Sequence, residues 1–276
     1  MKKSLLKKNE KEWLGGIIDG DGSILVYSDH VSIEITTSIE DEGILLWVKK
    51  KFGGSIKPRS GSKSLRWRSR KKNVVLNLLL ELHGFLLHPT RVDQFKKALN
   101  FYDICLSSYE ENDLISKKSS YLSGLFDSDG SLSITTSRKQ VPKLLTNISG
   151  EYGKAQRLIH SRGGNQLKIK LSSSDKDLME RIKSGMGFGE ILKETENPKN
   201  KKPKLIYHWV VYNSSIFEFL DYLENNPLRG FKKKKRFHLI KKYLYLKQNK
   251  YHLSQEGGIQ FKEWAKFCYK WYNIQS

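Results

Sequence analysis

The sequence predicts an α+β fold built from two similar halves. The first observation is an internal repeat, Trp-Leu-Gly-Gly-Ile-Ile-Asp-Gly-Asp-Gly-Ser-Ile at 13–24 and Tyr-Leu-Ser-Gly-Leu-Phe-Asp-Ser-Asp-Gly-Ser-Leu at 121–132. Asp21 and Asp129 hold the same place in the two copies, 108 positions apart. The second observation is that similar helical and strand-like patterns follow each copy. Each half is therefore predicted to have the element order αββαββα.

The first half can be assigned element by element. Its motif segment has helical spacing, and the next two segments alternate apolar and polar residues as strands do. A helical pattern then ends at a Gly-Gly pair, which is typical of helix C-termini. The predicted order is the motif helix, strands 23–28 and 31–38, helix 40–52, strands 55–59 and 64–69, and helices 73–83 and 89–102.

The second half follows the same order with additional residues. The predicted strands are 132–137, 144–149, 166–172 and 205–212, and the predicted helices after the motif are 174–185 and 215–223, followed by a basic run from Pro227. Residues 150–164 have no counterpart in the first half and receive no assignment. The predicted organisation is an N-terminal half at 1–109, a linker at 110–118 and a C-terminal half at 119–276.

The charge balance indicates a polyanionic partner. Fifty Lys and Arg face 29 Asp and Glu, a formal net charge of +21, and such an excess repels itself unless a polyanion neutralises it. A membrane surface would need a basic amphipathic helix beside an apolar anchor, and no clear case is present. No segment approaches the roughly 20 apolar residues of a membrane span. Nucleic acid is therefore the favoured partner.

The cysteines and the N-terminus suggest where the protein works. Cys105 and Cys268 are too few for a disulfide framework or a zinc site, which favours a reducing compartment. The N-terminal segment lacks the apolar core of a secretory signal and soon contains Glu10 and Glu12, unlike an acid-poor transit peptide. We expect the protein to act in the compartment where it is made.

The repeated motifs predict two closely packed helices with acids at their ends. Gly15 and Gly16 recur as Ser123 and Gly124, and a retained small pair suggests that two helix backbones approach there. Helix C-termini carry partial negative charge, so carboxylates gathered at two such ends require a compensating cation. Mg²⁺ suits this setting. The acids expected to gather are Asp19, Asp21, Asp127 and Asp129.

Two simpler interpretations of the motif compete with this prediction. A single Asp-x-Asp-Gly is usually a turn, but two copies after matching small-residue helices argue against this. A calcium-binding EF-hand loop would need Gly at its sixth position and Glu at its twelfth. Counted from Asp19 and Asp127, these positions hold Ile24 and His30, and Leu132 and Arg138, so the EF-hand is rejected.

The segments Leu-Gly-Gly-Ile-Ile-Asp-Gly-Asp-Gly at 14–22 and Leu-Ser-Gly-Leu-Phe-Asp-Ser-Asp-Gly at 122–130 resemble the paired signatures of the LAGLIDADG homing endonuclease family, in its double-motif, single-chain type. The resemblance implies two pseudo-symmetric halves, each with a saddle-shaped antiparallel sheet, packed through the two motif helices. It also implies a monomer that binds a long site in double-stranded DNA and cuts both strands with Mg²⁺, for which Mn²⁺ can substitute. It implies a mitochondrial or chloroplast location, with the gene inside the organelle.

The resemblance also assigns roles to residues. Asp21 and Asp129 take the metal-binding position, with backbone carbonyls near Gly20 and Ser128 completing the coordination. Asp19 and Asp127 are expected to shape the helix ends. The family often places a basic residue near the scissile phosphate, a few positions after a Pro that starts the last helix, and this predicts Lys232, with Gln94 in its place in the first half.

The remaining predictions concern DNA contacts. Alternating polar residues on strands suit the major groove, and basic residues of the run after Arg229 suit phosphates. Trp67 and Trp209 are assigned to the core. The predicted DNA-binding residues are Lys57, Arg59, Arg66 and Arg68 in the first half and Thr136, Arg138, Lys168, Lys170, Lys234 and Lys235 in the second.

Two other functions remain open on the sequence. An RNA maturase that assists splicing of its own intron would use the same basic surface. A DNA-binding regulator on the same scaffold would bind without cleavage. The paired acids Asp21 and Asp129 favour the endonuclease over both.

Overall fold

The computed structural model describes residues 5–105, 113–137, 141–195 and 205–273. Within these ranges both repeat motifs are helical, and each is followed directly by the first strand of a four-stranded antiparallel sheet. The predicted α+β fold with two similar halves is confirmed.

The first half contains one sheet and four α-helices. Its strand order is β1-β2-β4-β3. Ile24 pairs with Ile33, and Ile35 pairs with Trp67, so one face of the sheet is apolar and buried. The elements are α1 (Lys8–Asp21), β1 (Gly22–Val26), β2 (Val31–Ser38), α2 (Glu42–Phe52), β3 (Ser55–Pro58), β4 (Ser64–Ser69), α3 (Lys72–Leu82) and α4 (Pro89–Phe101).

The second half repeats this topology, with the strand order β5-β6-β8-β7. Trp67 and Trp209 hold equivalent places, because each is fully buried and donates its indole N–H to a backbone carbonyl just after a helix. The elements are α5 (Tyr121–Asp129), β5 (Ser131–Thr136), α6 (Lys143–Thr146), α7 (Gly150–Ile159), β6 (Asn165–Ser173), α8 (Lys176–Met186), β7 (Glu190–Thr195), β8 (Leu205–Val211), α9 (Ser215–Asn225), α10 (Phe231–Gln248) and α11 (Ile259–Trp271).

In the second half, one predicted strand was wrong and one strand was missed. The predicted strand at 144–149 is a short helix, α6, which begins just after Pro142 and leaves Leu144 86% exposed. Strand β7 was missed because its side chains are mostly exposed and show no apolar alternation. The unassigned residues 150–164 contain α7, whose buried face packs against α11.

The chain divides into two compact units, one of residues 1–131 and 170–232 and the other of residues 132–169 and 233–276. Both motif helices belong to the first unit. The predicted halves, 1–109 and 119–276 with a linker at 110–118, are defined by the sequence repeat and stay a prediction. Among the described residues, no helix is long and apolar enough to cross a bilayer.

Candidate active site and nucleic-acid interface

The two motif helices pack with their backbones in contact. A Cβ placed on Gly16 would lie 2.2 Å from the carbonyl oxygen of Tyr121, and one on Gly124 would lie 2.0 Å from that of Trp13. Both separations are shorter than any real Cβ contact, so only glycine allows this approach. The prediction that the small residues permit close helix packing is confirmed for these two glycines.

Two crossed hydrogen bonds reinforce the helix pair. The indole Nε1 of Trp13 donates to Oδ2 of Asp127 at 2.9 Å, and the hydroxyl of Tyr121 donates to Oδ2 of Asp19 at 2.6 Å. Each motif thus begins with an aromatic donor that binds the buried acid of the other motif. The two bonds are related by the same 108-residue offset as the motifs.

The same buried acids also fix the segments that precede α4 and α10. Asp19 Oδ2 accepts from the backbone N–H groups of Leu87 and His88, at 2.7 and 3.1 Å. Asp127 accepts from the N–H groups of Arg229 and Gly230, at 2.8 and 3.1 Å. Burial raises the pKa of Asp19 to about 7, against the lowering effect of its hydrogen bonds. This geometry fits the expectation that Asp19 and Asp127 shape the helix ends.

The acids at the eighth motif position end the two helices and reach solvent. Asp21 is the last residue of α1 and half-buried, and Asp129 is the last residue of α5 and exposed. A Cβ on Gly20 would lie 2.4 Å from Cβ of Ser128 and 3.0 Å from Oδ2 of Asp129. The carboxylate of the second motif therefore lies beside the backbone of the first.

Arg91 is the cation that the structure brings to these carboxylates. Burial lowers its pKa, and Asp19, Asp129 and Asp21 oppose that shift electrostatically. Its Nε donates to the carbonyl of Ile18 at 3.1 Å, which holds the guanidinium at the C-terminal end of α1. A cation there offsets both the helix dipole and the gathered acids.

Lys232, predicted to lie near the scissile phosphate, and Gln94, predicted in its place in the first half, contact other groups of the protein. Gln94 Oε1 accepts from the backbone N–H of Ile24 at 3.1 Å and from Arg91 Nη1 at 3.4 Å. The Nζ of Lys232 pairs with Oε2 of Glu40 at 3.2 Å, and its N–H donates to Asp41.

The backbone anchors revise how the two halves were aligned here. Asp19 binds the Leu87–His88 segment and Asp127 binds the Arg229–Gly230 segment. Arg91 stands three residues beyond His88 and Lys232 stands two residues beyond Gly230, so equal spacing from the anchors pairs Arg91 with Lys233. Aligning the prolines instead pairs Gln94 with Lys232, a register four residues away from the one that the anchors give.

The first sheet places three of the predicted DNA-binding residues, Lys57, Arg66 and Arg68, as expected from strand alternation. Arg66 and Arg68 lie on the face opposite buried Leu65 and Trp67, and Lys57 pairs with Arg66 on that same face. Arg59 is exposed just beyond β3.

The second sheet places its predicted residues less uniformly. Lys168 and Lys170 alternate with the buried side chains of β6. Thr136 lies on the face of buried Leu132 and Ile134, so alternation favours Thr135 as the outward residue. Arg138 lies outside the described residues. Lys234 and Lys235 are exposed on α10.

A family model described as LAGLIDADG endonuclease matches residues 122–244, which begin within the second motif. The second half of the chain therefore matches the LAGLIDADG family. The first motif lies outside that match, but its helix, its crossed hydrogen bond and its sheet repeat those of the second half. The second motif and its surroundings thus have a structural counterpart in the first half.

Three relatives align with nearly the whole chain. A probable intron-encoded endonuclease aI2 of Debaryomyces hansenii is 27% identical over 98% of this chain, and an intron-encoded RNA maturase bI4 of Saccharomyces cerevisiae is 27% identical over 95%. This chain spans only 38% and 36% of those two proteins. An intron-encoded DNA endonuclease ai2b of Dictyostelium discoideum is 28% identical, with 96% of this chain and 90% of that protein covered.

Solved structures of LAGLIDADG meganucleases share the fold. The meganuclease I-AabMI bound to uncleaved DNA aligns with a TM-score of 0.65 and 18% identity, over 93% of this chain and 98% of that one. The meganuclease I-SmaMI bound to uncleavable DNA aligns with a TM-score of 0.66 and 19% identity, over 94% and 98%.

Sequence reasoning missed two residues of the candidate site, Arg91 and Glu34. Arg91 could have been found by aligning the halves through the apolar residues before the last helix, rather than through proline. Glu34 on β2 gave no signal, because an isolated acid on an amphipathic strand usually faces solvent. Its partners, Arg66 and Arg68, come from a strand about 30 residues away.

Proposed function

We propose that this chain is a site-specific DNA endonuclease that makes a double-strand break in a long recognition site by metal-dependent phosphodiester hydrolysis. The observation that carries the proposal is the pairing of Asp21 and Asp129 at the adjoining C-terminal ends of two helices. Two solvent-accessible carboxylates, one from each half, match the two phosphodiesters of a duplex.

The donor set fits a divalent cation such as Mg²⁺. Carboxylate and carbonyl oxygens are the ligands it prefers, and Gly20 lacks the Cβ that would fill the space beside Asp129. No group of three or more His, Cys, Asp or Glu side chains that could hold a metal occurs in the described part of the chain. In the proposed site two acids hold the ion, and DNA and water supply further oxygens. Asp21, Asp129 and the carbonyls of Gly20 and Ser128 would hold it.

A bound divalent cation would polarise the phosphoryl oxygens and stabilise charge on the leaving 3′ oxygen. The chain's own groups orient the site around it. The crossed bonds from Trp13 and Tyr121 fix the two helix ends relative to each other. Arg91 is placed to neutralise charge beside the carboxylates, and Lys232 is the basic residue proposed for the second half.

The proposal is tested by selection from a randomised duplex library. The protein is incubated with the library in Mg²⁺, in Mn²⁺ and in EDTA, and cut ends are sequenced. We expect double-strand breaks at one long site in either metal and none in EDTA. Tight DNA binding without cutting in either metal would contradict the endonuclease and favour the regulator.

A second candidate, RNA maturase, is favoured by the charge distribution. The unit of residues 132–169 and 233–276 has 18 Lys and Arg against 3 Asp and Glu, a net charge of +15. The other unit has 32 against 26, a net charge of +6. Among the described basic residues of the unit of residues 132–169 and 233–276, Lys168 alone lies on a strand. The others lie on α6, α7, α10, α11 and their loops.

The basic residues of this unit thus lie mainly on helices and loops and not on a strand face that could read DNA bases. Lys262, Lys266 and Lys270 recur at helical spacing on α11 and are exposed. We expect the triple change of these lysines to Gln to weaken binding to the host intron RNA and leave DNA cleavage intact. Equal loss of both activities would contradict a separate RNA surface.

We also propose that the chain is intron-encoded, acts as a monomer and works in a mitochondrion or chloroplast. The named relatives that are described as intron-encoded support the first point. One chain carries both motifs, which supports the second.

A further inference from the structure

One carboxylate lies among the positive residues of the first sheet's polar face. Glu34 is on β2, directly opposite Arg68 on β4, and its side chain is 10% exposed. Its Oε2 accepts a hydrogen bond from Arg66 Nη1 at 3.1 Å, and its Oε1 is in direct contact with Arg68 Nε. One acid thus holds two arginines that are adjacent on the same strand face.

A carboxylate at this position has two free-energy costs. A nearly buried carboxylate loses most of its hydration, and on a DNA-facing surface it also opposes the approach of phosphates. Two guanidinium partners offset the first cost within the folded protein. The second cost indicates that the residue contributes something other than attraction to DNA.

The geometry indicates what that contribution is. Arg66 and Arg68 keep 35% and 31% of their side chains exposed, so their ends reach the surface while Glu34 holds them from below. Glu34 meets Arg68 through Nε, which leaves the two terminal nitrogens outside that contact. Those terminal nitrogens form the planar fork that pairs with guanine O6 and N7 in the major groove.

We propose that Glu34 is a positioning residue for specificity: it orients Arg66 and Arg68 so that each reads a guanine in the first half-site. This inference rests on the proposed function, since it assumes that the sheet face meets DNA. The carboxylate does not read a base itself, because both of its oxygens already contact arginine.

The second sheet supplies a contrast within the same chain. There, His208 lies between Ser172 and Glu194, with Nδ1 2.8 Å from the Ser172 hydroxyl and Nε2 2.8 Å from a Glu194 oxygen. Loss of Glu34 should therefore alter base preference in one half-site and leave the other unchanged.

The test measures base preference with the full-length protein in EDTA, so that binding is read without cleavage. Each base pair of the selected site is changed singly, and the binding of every variant duplex is compared for the intact protein and Glu34→Gln. We expect discrimination to fall about tenfold at one or two adjacent guanine positions of one half-site. Affinity for non-specific DNA should stay equal or rise, because one negative charge has been removed.

Two further proteins separate positioning from other effects. Glu42→Gln removes the same charge from an exposed place on α2 and should leave every base preference unchanged. In an Arg66→Ala, Arg68→Ala background, Glu34→Gln should produce no further change in preference, since it acts through those side chains. Circular dichroism checks that each variant is folded.

The outcomes distinguish the inference from the function on which it rests. An intact protein that shows no preferred DNA site would overturn both. A preferred site whose profile is unaltered by Glu34→Gln would overturn the positioning role alone. A preference change that persists without Arg66 and Arg68, or that spreads evenly over both half-sites, would also overturn it.

Discussion

At the scale of single residues, the site separates acids by burial. Asp19 and Asp127 are each 4% exposed and bind backbone N–H groups, so they serve structure. Asp21 and Asp129, two positions further, reach solvent at the helix ends. A two-residue step along the motif therefore separates an anchoring acid from a candidate metal ligand. Arg91 is the neighbouring cation in the first half.

Arg91 should matter for cleavage. Arg91→Ala removes a positive charge beside Asp21 and Asp129, and we expect cleavage of one DNA strand to slow by about 10²-fold. Arg91→Lys should retain more of the rate, because the charge remains. The measurement is strand-resolved cleavage of an end-labelled duplex.

The matched control for this prediction is Thr90→Ala, a change at the exposed neighbouring residue. It should cut both strands at the normal rate. Unchanged rates for Arg91→Ala, in a protein whose thermal unfolding is normal, would remove Arg91 from the proposed mechanism.

At the scale of elements, the helix pair depends on two glycines. Ala at Gly16 or Gly124 would place Cβ within about 2 Å of a backbone carbonyl of the other helix. We expect either change to lower the free energy of unfolding by about 3 kcal/mol or more, because the helices must separate. Denaturant unfolding measures this.

Gly43 on α2 is the control for those glycines. A Cβ there meets nothing within 4 Å, and the position is exposed. Gly43→Ala should stabilise the protein by about 0.5–1 kcal/mol. Equal destabilisation by all three changes would contradict the close-packing explanation.

A histidine beside α11 predicts a pH dependence of stability. Burial and nearby Lys247 lower the pKa of His252 from 6.5 to about 4. Between these values the unfolded chain binds a proton that the folded chain lacks, so the stabilising effect is complete above pH 6.5 and is lost toward pH 4. The free energy of unfolding should therefore decrease as the pH is lowered from 6.5 toward 4.

His252→Gln should make that fall shallower in denaturant titrations at several pH values. His238→Gln, an exposed change on α10, should leave the slope as it is. An identical slope for the intact protein and His252→Gln would contradict the assigned pKa.

How much the sequence could predict differs among these elements. The motif helices were predictable because the pattern of glycines and acids occurs twice, and chance rarely repeats it. Strand β7 was not, since its side chains are mostly exposed and its identity depends on pairing with β8. The short helix α6 was mistaken for a strand because a four-residue helix leaves too little periodicity to identify.

The residues of the site were also predictable only where a local sequence pattern identified them. Asp21 and Asp129 could be named from the motif alone, whereas the contacts of Arg91 and Glu34 join segments that are about 30 to 70 residues apart. Such contacts depend on tertiary packing, which one sequence does not reveal. Local pattern therefore predicted the acids but not the groups that surround them.

At the scale of the whole molecule, charge is distributed unequally, with +15 on one compact unit and +6 on the other. DNA binding should therefore weaken steeply with salt, by a slope of about −0.9 per phosphate contacted on logarithmic axes. Changing Lys234 and Lys235 to Gln should make the slope shallower by about 2. The measurement is fluorescence anisotropy on the selected duplex across a salt series.

The triple change of Lys262, Lys266 and Lys270 to Gln is the control, because those lysines are assigned to RNA. It should leave the DNA slope unchanged. If this variant had a shallower slope and the Lys234, Lys235 variant had an unchanged slope, the phosphate-contacting lysines would be those of α11 and not those of α10.

The central claim is that Asp21 and Asp129 together make one double-strand cutting site. Its most direct test is strand-resolved cleavage of the selected duplex in Mg²⁺ by the intact protein, Asp21→Asn and Asp129→Asn. We expect the intact protein to cut both strands, and each variant to lose double-strand cutting and leave at most nicks while still binding the site. Normal double-strand cutting by either folded variant would contradict the claim.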